Sequence, residues 1–244
     1  MKRNYLIILV FALSLLLVLS ACGKDEAEAP AGDVSIVDTQ TPPPVLSDEI
    51  IEFLGRVGLT EDALCGRQLI IVKSVGTDAF LCRYEASDKM VWSPVGNLIS
   101  AKLGRNGVTS AKAEGDLCTP AGLYYLGDAF GIEDKPQTKL NYRSVSQNSY
   151  WVDDPDSPDY NTWVELEGEK TWKSAEHLAD YNPQYALGVI VKYNCDPIVP
   201  GAGSAIFLHC GDKPTAGCVA VDREEMLEIL SWLDPDMNPM ILIV

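Results

Sequence analysis

Short apolar runs fenced by turn residues recur along most of this chain, and they constrain its fold more than any other feature. They fall at 68–74, 79–85, 90–95, 122–126, 185–193 and 204–208, with a further run at Met240–Val244. Runs this short, bounded by Gly, Pro, Asp and Asn, read as strands rather than helices. The first is apolar without alternation, as in a strand buried on both faces. Helical signals are confined to two places. Ile50, Ile51, Leu54 and Val57 recur at helical spacing over 48–59 behind Ser47, a good N-cap residue. Arg223–Leu233 follows Asp222, with Glu225 completing a capping box and Pro235 beyond its end. The expected fold is mainly β with a few helices, a sandwich or barrel.

Chemistry concentrates between Gly203 and Val221. The strand-like run Ala205–Leu208 delivers His209, one of only two histidines, and Gly211, Pro214 and Gly217 punctuate a loop that can return Cys218 to it. A thiolate attacks carbonyls where a thiol does not, and an unassisted cysteine with a pKa of about 8.5 is mostly protonated at neutral pH. An adjacent imidazole supplies the missing base, so Cys218 is expected to alkylate at a lower pH than an ordinary thiol. Gly217 allows close backbone approach to a substrate, and amides around Gly217 and Cys218 are candidate oxyanion donors. Spacing alone also fits a structural histidine and cysteine, or a Cys210–Cys218 disulfide. A zinc site from His209, Cys210 and Cys218 has suitable ligand types but no CxxC or HxxxH spacing.

Thr215-Ala216-Gly217-Cys218, preceded by a strand histidine, resembles the Ser/Thr-x-Gly-Cys nucleophile turn of the L,D-transpeptidase catalytic-domain, or YkuD-like, family. Lys112 to Tyr124 is similar to a K-x-E-G-D-x-x-T-P-x-G-x-Y block of one family branch, and the blocks 152–161 and 172–178 extend the resemblance over roughly 96–244. Many members carry a glycine after the histidine, a second histidine two residues before the cysteine and an arginine shortly after it. Here those positions are Cys210, Ala216 and Val219-Ala220.

The resemblance implies roles and a reaction. Cys218 is the nucleophile and His209 the general base, with the Cys210 carbonyl orienting the imidazole. Gly217 and Cys218 supply oxyanion amides, with the Thr215 hydroxyl close by. Cys218 attacks a peptidoglycan stem peptide at the carbonyl before its terminal D-alanine, releases that D-alanine and holds a thioester. An amine from a second stem then makes a cross-link. No metal or organic cofactor is implied. An L,D-carboxypeptidase using the same residues and a non-catalytic wall-binding lipoprotein are the alternatives. A papain-like protease is disfavoured because it places its cysteine before its histidine.

The N-terminal end carries its own signals. Lys2 and Arg3 precede an apolar run, Tyr5–Leu19, that is short for a permanent span and reads as a secretory signal over 1–21. Leu19-Ser20-Ala21-Cys22 fits a bacterial lipoprotein box, with Cys22 lipidated. An ordinary cleaved signal or an uncleaved helix is the alternative. Residues 22–46 are acidic and end in Pro42-Pro43-Pro44, which suits a solvated tether. The expected organisation continues with an N-terminal helix and strands, 47–95, packed on a catalytic domain, 96–244. The expected location is extracytoplasmic, lipid-anchored to a bacterial membrane. A net charge of −16, or −18 without Lys2 and Arg3, disfavours nucleic acid as a partner.

The other candidates are weaker. Five cysteines beyond Cys22 and Cys218 cannot all pair with one another, and Cys65–Cys82 is one conceivable bridge. His177 reads as the start of a helix and as a structural residue. Asp153 and Asp154 precede a proline turn that Asp often caps, with an amine-binding role as the alternative. Aromatic residues at 150–151 and 160–163 suit a core or surface cluster more than a cleft wall.

Overall fold

The first strand, Gln68–Val75 (β1), is apolar without alternation because it is covered on both sides. Ile70 and Val72 enter one apolar cluster, while Leu69 and Ile71 enter another with Ile50, Phe53 and Leu54 of the helix Asp48–Arg56 (α1). Ser47 caps α1 by accepting the Ile50 amide at 3.4 Å. The structure, a computed structural model, describes residues 47–244. The expected signal at 1–21, the lipidated Cys22 and the tether at 22–46 lie outside the described residues.

The chain continues through Asp78–Ala86 (β2), Trp92–Lys102 (β3), the two-residue Val108–Thr109 (β4) and Thr119–Pro120 (β5), and Gly122–Gly131 (β6). Tyr142–Ser144 (β7), Ser149–Val152 (β8), Thr162–Glu165 (β9) and Ala175–His177 (β10) follow. Then come Gly188–Val191 (β11), Phe207–Cys210 (β12), Val219–Val221 (β13), Arg223–Trp232 (α2) and Met240–Ile243 (β14).

Nine of these strands form one sheet in the order β11-β12-β13-β3-β2-β1-β14-β6-β7. Because β6 pairs with β11 as well as β14, eight of them close into a barrel, with β7 added outside β6. The fold is therefore mainly β, with a barrel core, as expected. Its interior holds Ile70, Leu81, Ile99, Val189, Leu208, Val219 and Ile241, joined by Met226 and Ile229 of α2. A separate three-stranded sheet, β10-β8-β9, carries Trp151, which packs edge-on to Phe207 of β12 at 4.9 Å.

Several elements differ from their expected bounds for local reasons. β3 runs on to Lys102 through Gly96-Asn97, residues that read as a turn. A register shift between Leu81 and Arg83 lets β3 bulge, and Gly96, at φ 70°, passes so close to the Arg83 guanidinium that a Cβ would lie 2.2 Å from it. The expected strand at 204–208 begins only at Phe207, because Ala205 is left-handed at φ 53°. The run at 185–193 opens as a 3-10 turn, Gln184–Ala186, and only Gly188–Val191 pairs as a strand. His177 ends a strand and precedes a 3-10 turn instead of opening an α-helix. Asp222 occupies the N-cap position of α2, yet its side chain makes no capping hydrogen bond. The division expected at 95/96 falls inside β3, and β1 sits between β2 and β14 as an internal barrel strand.

Candidate active site

β12 and β13 pair in parallel with His209 opposite Ala220 and Leu208 opposite Val219, which brings Cys218 alongside the start of β12. The thiol is held by that strand's backbone: Cys218 Sγ donates to the Ala205 carbonyl at 3.2 Å and accepts the Phe207 amide at 3.3 Å. The left-handed turn at Ala205 contributes to this geometry and carries a conformational cost of about 1–3 kcal/mol. Asn161 offsets it. Its Oδ1 accepts the Ala205 amide at 3.2 Å and the Trp151 indole N–H at 3.0 Å, while its Nδ2 donates to the Tyr193 and Asn194 carbonyls.

His209 and Cys218 line one cleft of about 500 Å³. His209 Nδ1 lies 2.8 Å from the Cys210 carbonyl. A carbonyl only accepts, so in the neutral ring Nδ1 carries the proton and Nε2 keeps its lone pair. Burial pulls His209 down to about 4 against a small opposing contribution from that carbonyl. Burial also pushes the Cys218 thiol far above its ordinary range, and the Glu176 carboxylate adds to the effect. The resting pair is a neutral thiol and a neutral imidazole, so the expected low-pH reactivity of Cys218 does not follow from this geometry. Desolvation outweighs any benefit from the nearby base.

The nucleophile turn is fastened from two directions. Thr215 Oγ1 accepts the Gly217 amide at 3.1 Å and donates to the Cys218 carbonyl at 2.7 Å. Thr119 Oγ1 reaches that same carbonyl at 3.4 Å while accepting the Gly104 amide at 2.8 Å. The Gly217 N–H is thus committed within the turn and is not a free oxyanion donor. Packing also favours glycine at 217, since a Cβ there would stand 3.1 Å from both the Cys118 carbonyl and Ile206 Cδ1.

Cys210 projects away from the cleft into the barrel core beside Leu208, its Sγ 3.5 Å from the Leu187 carbonyl. Among the described residues all six cysteines are free, so neither Cys210–Cys218 nor Cys65–Cys82 is a disulfide. His177 stands apart from the pair. Its ring stacks on Tyr150 at 4.6 Å, and its nitrogens each lie 2.9 Å from an oxygen, of Gln147 and of Asp180. Asp154 caps backbone amides of Asp156 and Lys173, whereas Asp153 lines the cleft with a buried, unpartnered Oδ1. Val219 and Ala220 are buried in β13, and the cleft's cations are instead Arg105, Lys112 and Lys213.

Spacing around Cys218 gave no hint of Glu114, Glu176 or Tyr185, which complete the cleft wall. Two of them lie inside the sequence blocks that carry the family resemblance. Glu114 Oε2 accepts the Tyr160 hydroxyl at 2.5 Å and the Ser204 hydroxyl at 2.8 Å, while Lys112 pairs with Asp116 at 2.6 Å. Burial lifts Glu176 to about 7 although it accepts the Tyr185 hydroxyl at 2.5 Å, with Asp153 and Glu114 pushing in the same direction as burial.

A barrel presents a histidine from β12 and a cysteine from the turn before β13 to one cleft, and this defines the class, a β-barrel domain with a cysteine and a histidine facing a shared cleft. Residues 75–242 match the profile of the L,D-transpeptidase catalytic domain, YkuD, and the chain belongs to that family. No curated protein matches the chain. Two crystal structures of the helical cell shape determining protein Pgp2 from Campylobacter jejuni are similar, each at 16% identity. The first, a mutant, has a TM-score of 0.39 over 73% of this chain and 47% of its own. The second has a TM-score of 0.38 over 79% and 54%. The chain spans about half the length of those proteins.

Proposed function

We propose that the chain is a cysteine-dependent L,D-transpeptidase acting on peptidoglycan stem peptides. One observation carries the reading: in a chain of this family, Cys218 and His209 share a cleft, and the Cys210 carbonyl leaves His209 Nε2 as the free base. The thiol first turns from the Ala205 carbonyl toward that nitrogen. As Sγ bonds to the carbonyl carbon before the terminal D-alanine, its proton passes to Nε2. The tetrahedral oxyanion is assigned to the Cys218 amide, since the Gly217 amide is engaged. Collapse breaks the C–N bond, the imidazolium returns the proton to the departing amine, and a thioester remains. An amine of a second stem resolves it into a cross-link, whereas water would give a trimmed stem. Lipidation at Cys22 would hold this chemistry beside the wall.

The test incubates the full chain and Cys218→Ala with tetrapeptide-stem muropeptides and follows products and intact mass. The expected result is a cysteine-dependent adduct with loss of D-alanine, followed by cross-linked dimers. Trimmed monomers alone would make the chain a carboxypeptidase. No adduct and no product from folded, reduced protein would overturn the enzymatic reading.

A further inference from the structure

Glu176 lies on β10 at the wall of the cleft that holds Cys218 and His209. The Tyr185 ring that hydrogen-bonds its carboxyl is set edge-on to Phe207 at 5.5 Å and to His209 at 5.4 Å. Phe207 in turn gives its amide to the Cys218 sulfur. Aromatic packing thus fixes the carboxyl relative to the nucleophile. From the neighbouring elements, Glu114 and Asp153 bring further negative charge to the same space, and the Tyr181 hydroxyl brings none below its raised pKa of about 12. Lys112 is the cation whose field reaches the thiol, and it is already paired with Asp116. Among the described residues, no ion pair neutralises Glu176.

We propose that Glu176 sets when Cys218 can ionise: its carboxylate, held by Tyr185 in the thiol's own cleft, opposes a second negative charge there until it is neutralised. Once Glu176 is neutral, the proton on Sγ passes more readily to His209 Nε2. Glu176 acts through its field and is a positioning residue. Burial supports the idea by placing its titration near neutrality, at about 7. The role given to Cys218 rests on the transpeptidase reading, but the electrostatic coupling can be read without any peptide substrate.

The experiment follows carbamidomethylation of Cys218 by iodoacetamide in the folded full chain, with peptide mapping to separate Cys218 from the other cysteines. At about pH 8, Glu176→Gln is expected to react roughly threefold to tenfold faster than wild type, the change in thiolate fraction for half to one pH unit in ionisation. At about pH 5.5, where the wild-type carboxyl is already neutral, the two rates should coincide. Glu176→Asp retains the charge and should retain the wild-type dependence. Tyr185→Phe removes the hydrogen bond that favours the carboxylate, so suppression should set in at higher pH, and this arm serves if Glu176→Gln does not fold. A ratio of one at both pH values, or the same elevated ratio at both as mere loosening would give, overturns the proposal. Failure of D-alanine release with this pH-dependent ratio intact would remove the transpeptidase reading and leave the coupling standing.

Discussion

His209 is more than 90% buried, with 5% of its surface exposed, and this has a consequence for stability as well as for chemistry. The unfolded chain takes up a proton on this side chain near its ordinary value of 6.5, while the folded chain resists until about 4. As pH falls between those values, the unfolded state binds more protons and the fold loses stability, by roughly 3 kcal/mol once pH has dropped through both. Urea unfolding of wild type and His209→Gln at about pH 7.5 and about pH 4.5 isolates this contribution from the carboxylates, which both proteins share. The wild type is expected to lose roughly 2–3 kcal/mol more than the variant on acidification. Equal losses would mean that burial does not hold the imidazole neutral. Cys218 and His209 were legible in the sequence because a glycine-rich loop between a strand and a cysteine is a local pattern. Their neutral ionisation states were not, since burial depends on Tyr185, Phe207 and Trp151, contributed by three separate segments.

At the scale of elements, the turn before β13 depends on Thr215, whose one hydroxyl satisfies an amide at Gly217 and a carbonyl at Cys218. Thr215→Ala leaves the buried Gly217 N–H without its partner and is expected to destabilise the protein by about 1–3 kcal/mol, while Thr215→Ser keeps both bonds and most of the stability. Denaturant titration of the two variants checks this, and an alanine variant no less stable than the serine variant would show that the hydroxyl does not fasten the turn. Strand existence was readable wherever a run was continuously apolar, as in β1 and β14. At β3, long-range pairing overrode a local turn signal. Gly96-Asn97 reads as a break, yet the β3 bulge there accommodates Arg83, which is 5% exposed along its side chain and reaches Glu228 of α2 at 3.2 Å. The strands β7 to β10 escaped notice for a different reason, since each is only three or four residues long. They add to the barrel edge or form a small side sheet, and segments this short carry too few residues to show a strand period.

At the scale of the whole molecule, the described residues, 47–244, are interleaved from one end to the other, and this decides which fragments can fold. β1 is hydrogen-bonded to β2 on one side and, in parallel register from Leu69–Met240 to Val72–Ile243, to β14 on the other. A fragment spanning 96–244 would contain every cleft residue named above, yet it would lack β1, β2 and the first part of β3. Met240–Ile243 would then lose its parallel partner and become an apolar edge, a template for aggregation. Leu69, Ile70, Ile71, Val72 and Leu81, each no more than 1% exposed, would be missing from the two apolar clusters they join. At about 1.5–3 kcal/mol per buried aliphatic side chain, their loss is on the order of 10 kcal/mol, comparable to the entire stability of a typical domain. The fragment is therefore expected to show no cooperative thermal transition and no near-ultraviolet dichroism, whereas the full chain shows both. A cooperative melt from the 96–244 fragment would mean that the barrel can close without β1 and that the N-terminal strands are an accessory layer.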